Sequence, residues 1–156
     1  MKRSEALRSL SREHHQALSI GRDLRRANDP EPAITRFLEF WKREGVLHFR
    51  IEEEVLLPCW ALLGTVNAEA AARLAREHVE LRSAVLRMTA TPSLAAVRRL
   101  GEELVAHVRF EERELFPLIE ADFGPAEQVR LATAVAEAES AQCSHRRPWI
   151  GAERIG

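Results

Sequence analysis

The chain reads HFRIEEEVLLP from His48 to Pro58 and HVRFEERELFP from His107 to Pro117. Each phrase opens on a histidine, places a glutamate four residues on (Glu52, Glu111) and closes on a proline. A spacing of four puts His and Glu one turn apart on the same helix face. A second phrase is doubled too: LSREHH (Leu10–His15) matches LAREHV (Leu74–Val79), which sets His14 in register with His78. The chain reads as two helical hairpins, each giving one lone His and one His-x-x-x-Glu.

Around these phrases the composition is helical. NDPEP (Asn28–Pro32), LLGTVN (Leu62–Asn67), TATPS (Thr89–Ser93) and DFGP (Asp122–Pro125) are turn signals. The segments between them are rich in Ala, Leu, Arg and Glu, and no alternating β-branched run appears. Ser4 and Ser93 suit helix N-caps, Pro32 suits a helix start, and Pro58 and Pro117 should kink or end theirs. The expectation is all-α: an antiparallel up-down four-helix bundle over residues 4–121, then a short fifth helix near Ala126–Ala141 and a tail. Residues 1–156 make one domain, with the fifth helix and tail at 122–156. The tail CSHRRPWIGAERIG has no period and either packs through Trp149 or stays loose.

Of the 156 residues, 46% are hydrophobic and 30% charged, which fits a globular core wrapped by amphipathic helices. A formal net charge of −1 removes the electrostatic footprint of nucleic-acid binding. No apolar run approaches a membrane span, and MKRSEALRSL lacks the apolar stretch of a signal peptide. Cys59 and Cys143 make neither a metal-type pair nor a disulfide framework, so a reducing cytoplasm is the expected setting. No nucleic-acid or membrane partner is expected.

Helical phase turns the histidines inward. Phe37, Phe40, Trp41, Ile51 and Val55 fall within roughly 80° of His48. Leu100, Leu104 and Phe110 share the side of His107; Leu74, Leu81, Val85 and Met88 that of His78; Leu7, Leu10, Ala17 and Leu18 that of His14. His15 lies about 100° off the stripe; it is the alternative to His14, which register and phase favour. Runs from each histidine to its nearest turn differ by about one helical turn, so the four can meet in one layer. Buried imidazoles and carboxylates are costly unless paired or metal-bound. Four His and two Glu, a mixed N/O set, suit two first-row transition ions, iron most naturally, with both glutamates bridging. Manganese and zinc remain open. Glu53, Glu54 and Glu112 read as a solvated helix face. Glu103 stands four before His107 as Glu44 stands four before His48, which suggests paired acids next to the ligands. Glu114 reads as a salt bridge near the bundle end, and His145 as an unrelated tail residue.

The pattern His14, His48-x-x-x-Glu52, His78, His107-x-x-x-Glu111 resembles the hemerythrin-like, or HHE cation-binding, domain. The resemblance covers nearly all of residues 4–121. It implies a four-helix bundle holding two iron ions (Fe2+/Fe3+, oxo- or carboxylate-bridged), with His14 and His48 on one, His78 and His107 on the other, and Glu52 and Glu111 between. Oxygen-carrying hemerythrins have a fifth histidine four residues from the one on the third helix; here those positions are Leu74 and Arg82. The ligand set is more similar to that of di-iron proteins that repair iron–sulfur clusters, whose site approach is lined by acids like Glu44 and Glu77. The cysteine-bearing N-terminal region common in those proteins is absent. Ferritin-like di-iron sites use Glu-x-x-His, a spacing none of these histidines has.

The resemblance points to oxygen, nitric oxide or peroxide as the small ligand. An electron donor or a damaged iron–sulfur protein would be the partner in stress response or repair. A non-catalytic oxygen or nitric oxide sensor, or an iron buffer, is the alternative, so enzymatic activity stays open. A bundle whose histidines only hydrogen-bond is the third reading.

Overall fold

The computed structural model describes residues 3–144, and every regular element among them is helical. Helix α1 is Arg8–Arg25, opened by a 3-10 turn at Glu5–Leu7. Helix α2 covers residues 30–63, α3 is Ala68–Ala90, α4 covers residues 94–122, and α5 is Pro125–Ser144. The first four form the antiparallel bundle, and α5 lies across the start of α1 and the middle of α2. His145 and Trp149 lie outside the described residues.

Local chemistry sets the boundaries. The side chains of Asn67 and Ser93 accept hydrogen bonds from the backbone N–H groups of Ala70 and Ala96, capping α3 and α4. Asp29 caps α2 by accepting from the Glu31 N–H, so the first helical residue is Pro30, not Pro32. Ser4 makes no side-chain cap; its backbone N–H donates to Glu120 Oε1 at 2.6 Å instead.

Pro58 and Pro117 do not end their helices, which run on to Leu63 and Asp122. Each follows a π turn, Glu52–Leu56 or Glu111–Leu115, where the N–H of Leu57 or Phe116 reaches back five residues to the carbonyl of Glu52 or Glu111. A proline inside an α-helix lacks a donor and its ring crowds the carbonyl four back. The wider turn takes up that misfit, so the helix continues. A third π turn, Trp41–Gly45, precedes His48, and α4 has no counterpart before His107. A side chain on Gly45 would run into the Trp41 ring at 2.6 Å, so glycine makes room for that indole.

The core is two apolar clusters. One gathers Leu7, Leu10, Ile51, Leu56, Trp60, Leu74, Phe110, Leu115 and Phe116 with Leu131 and Val135 of α5. The other gathers Ala17, Ile20, Phe37, Phe40, Phe49, Leu81, Val85, Leu100 and Leu104. Along each bundle helix the histidine falls where one cluster gives way to the other, so a polar layer separates them. Helices α1 and α4 meet backbone to backbone: a Cβ on Gly101 would lie 2.6 Å from the Gly21 carbonyl oxygen.

Candidate metal centre

His14 on α1, His48 and Glu52 on α2, His78 on α3, and His107 and Glu111 on α4 are the buried polar and charged residues of the described chain. Helical spacing does the first part of the work, since each His-x-x-x-Glu stacks His over Glu on the inward face. The bundle does the rest.

The Nε2 atoms converge. His48 Nε2 lies 3.3 Å from Glu52 Oε1, and His78 Nε2 lies 3.2 Å from Glu52 Oε2. His107 Nε2 lies 3.0 Å from Glu111 Oε1, and His14 Nε2 lies 3.1 Å from Glu111 Oε2. Two sets result: His14, His48, Glu52 and Glu111, and Glu52, His78, His107 and Glu111, each with its donor atoms within 4.8 Å of one another. Both carboxylates belong to both sets. His15 is exposed and takes no part.

A second ring of acids holds the outer nitrogens. Each Nδ1 donates to a carboxylate: His14 to Glu112 at 2.6 Å, His48 to Glu13 at 2.6 Å, His78 to Glu53 at 2.7 Å and His107 to Glu77 at 2.9 Å. In a neutral imidazole that leaves the lone pair on Nε2, aimed at the centre. The pattern follows the repeat: the Glu preceding each lone His holds the His of its own hairpin, and the second Glu of each EE pair holds the lone His of the other.

This corrects the reading of Glu53 and Glu112 as solvated. They are partly exposed, yet each grips a buried imidazole. Glu54 does sit at the surface, paired with Arg50, and Glu114 pairs with Arg73. Glu103 is not beside the ligands. It bonds Arg99 on the outside, because the π turn that re-aims Glu44 ahead of His48 has no equal in α4. Glu44 lines a cavity against the centre, while Glu77 sits behind His107. Glu13 and Phe49, whose ring stacks on His78 at 3.7 Å, carry functional contacts that helical phase did not single out. The signals were there: Glu13 and Glu77 both stand in an REH phrase, and Glu53 and Glu112 in an EE pair.

The donor set fits a metal. Six of the seven buried side-chain atoms that lack a hydrogen-bond partner among the described residues belong here: both oxygens of Glu52 and Glu111, and Nε2 of His78 and His107. They are near enough to pair but not aligned to hydrogen-bond. His14 Nε2 faces His48 Nε2 at 3.0 Å, where two lone pairs repel unless a cation or a proton lies between. Without metal the network holds protons: burial opposes charge on His78 and His107, but hydrogen bonds and the nearby glutamates outweigh it and raise them to about 10 and about 9.

The cavity lies between α1, α2 and α4, and His14, His48, His107, Glu111, Glu13 and Glu44 line it beside Phe40 and Trp41. It leaves about 20 Å3 for the centre of a water-sized guest, where about 10–15 Å3 suffices for one water.

The family model described as the hemerythrin HHE cation-binding domain matches residues 5–119. No curated protein and no solved structure matches the chain.

Proposed function

The chain belongs to the hemerythrin HHE cation-binding domain family, and on that premise we propose that it is a non-haem di-iron protein handling dioxygen, nitric oxide or peroxide. The observation that carries this is the pair of buried donor sets sharing Glu52 and Glu111. His14 and His48 would hold one ion, His78 and His107 the other, and the two glutamates would serve both. Bound iron would supply one-electron chemistry toward a small oxidising ligand. The protein's own part is placement: Glu112, Glu13, Glu53 and Glu77 fix the imidazoles, and apolar clusters on either side keep bulk water away.

The size of the cavity supports a guest of one or two heavy atoms over a larger substrate. Where a fifth histidine would stand, Leu74 is core and Arg82 grips Glu53. Ligand count therefore favours a reactive centre over an oxygen carrier, since more oxygen donors and fewer neutral nitrogens stabilise the ferric ion. Oxidative or nitrosative stress, or repair of iron–sulfur clusters, is the setting that this ligand set supports.

Two measurements test the reading. Metal analysis of protein from iron-supplemented cells should find about two irons per chain, as two donor sets of mixed N/O character require, and a His48→Ala, His107→Ala double variant should lose them while staying helical. Stopped-flow absorbance of the diferrous protein in oxygenated buffer should show fast, irreversible oxidation. A metal-free wild type would sink the di-iron reading, and a long-lived band that vanishes on degassing would make the protein an oxygen carrier.

A further inference from the structure

Three of the four acids behind the histidines are clamped by an arginine, and the fourth is not. Arg82 donates twice to Glu53, behind His78, at 2.5 and 3.0 Å, and its guanidinium lies 5.3 Å from the Phe49 ring centre. Arg73 donates to Glu77, behind His107, at 2.7 Å and lies 3.9 Å over Phe110. Arg3 donates to Glu112, behind His14, at 2.6 Å and lies 5.3 Å over Phe116. Glu13, behind His48, has no arginine or lysine partner among the described residues, and its side chain is 35% exposed. The repeat locates the difference: Arg73 stands four residues before Glu77, and the residue four before Glu13 is Ser9.

The unclamped side is also where the cavity lies. Glu13 and Glu44 line it, and it reaches the buried, unpartnered carboxylate of Glu111. A cation approaching here meets the unclamped carboxylate of Glu13 and that of Glu44, which pairs with Arg43 at 2.8 Å at the surface, whereas behind His78 and His107 both acids are held by guanidinium groups. Swinging His78 or His107 outward would break an acid–arginine clamp; swinging His48 moves only Glu13 with it.

We propose that metal ions enter and leave past Glu13 and Glu44, and that the ion on His14 and His48 exchanges with solution faster than the ion on His78 and His107. This rests on the di-metal reading above.

The test is metal release from the full-length protein. Protein loaded anaerobically with Fe2+ is mixed with excess ferrous chelator, and the absorbance of the chelate is followed by stopped flow. Two phases of equal amplitude are expected, with rates about tenfold or more apart. Ser9→Arg, which supplies the missing clamp, should slow the fast phase about tenfold and spare the slow one. Arg82→Gln should speed the slow phase alone. Glu44→Gln should slow uptake of the first ion about threefold with iron content unchanged. Release in one phase overturns the unequal exchange, and wild-type uptake by Glu44→Gln together with wild-type release by helical Ser9→Arg overturns the entry side. A wild type that takes up no iron overturns the metal reading itself, so the two failures are told apart.

Discussion

Each imidazole at the centre has an acid at its back, and the acid decides how the ring is presented. Removing Glu53 frees His78 Nδ1, so Glu53→Ala should weaken metal binding about 10- to 100-fold. Competition against a chelator of known affinity reads this, and unchanged affinity would mean that stacking on Phe49 alone orients the ring. The same residues set the pH response. In the metal-free protein His78 and His107 sit at about 10 and about 9, against an ordinary 6.5. Raised folded values give stability that is fully present below pH 6.5 and is lost as pH climbs through 9 and 10. Glu53 and Glu112 behave oppositely. Burial pushes both carboxyls up, but hydrogen bonds from His78 and Arg82, and from His14, Ser11 and Arg3, hold each at about 2, so their contribution is present above 4.5 and fades toward 2. Metal-free protein should therefore melt progressively lower from pH 7 to 10, while loaded protein, its imidazoles already deprotonated, should hold steady there and shed metal in acid. Parallel melting curves for the two forms across that alkaline range would remove the imidazolium network. The six inward residues were legible because helical phase and the doubled phrase agree on them. Of the outer acids only Glu77 was named, through the family resemblance. Glu13, Glu53 and Glu112 were not, because each lies about 100° from its neighbouring ligand and is bonded to a histidine on another helix, a relation that phase along one helix does not contain.

At the level of the helix, Glu52 and Glu111 each open a π turn, a widening often found at functional sites. Proline after each turn was legible as a kink or an end, but which of the two was not, because the sequence marks the missing donor and not the turn that absorbs it. The equivalence of Glu44 and Glu103 failed for the same reason: one extra π turn in α2 breaks the repeat's phase. Helices α1 and α4 bring His14 against Glu111 at 3.1 Å by touching at Gly21 and Gly101. A methyl on Gly101 would meet backbone oxygen at 2.6 Å and Leu24 Cβ at 2.8 Å, neither able to yield without moving a helix. Gly101→Ala should cost about 1–3 kcal/mol and weaken metal binding with it. Denaturant unfolding checks the first part; an unchanged midpoint would show that the two helices slide apart freely.

Across the whole molecule, the bundle and the closing helix were legible from turn signals and composition, since strong helix formers fill every segment between them. The docking of α5 was not, because its apolar stripe is thin and its partners, Leu7, Leu56 and Trp60, are far away in sequence. Leu131 is 1% exposed in that cluster, so Leu131→Ala should cost about 2–5 kcal/mol. A melting temperature within error of wild type would mean that α5 is dispensable to the bundle. Because α5 covers the turn that follows Arg3, the same variant should loosen the clamp on Glu112. Glu52 and Glu111, one from each hairpin, serve both donor sets, and the acid behind His14 is 98 residues along the chain. During synthesis, the first hairpin leaves the ribosome with His14, His48 and Glu52 already made but with neither set complete. A nascent chain thus offers passing metal only a partial grip, and metal content becomes a readout of finished translation and folding together.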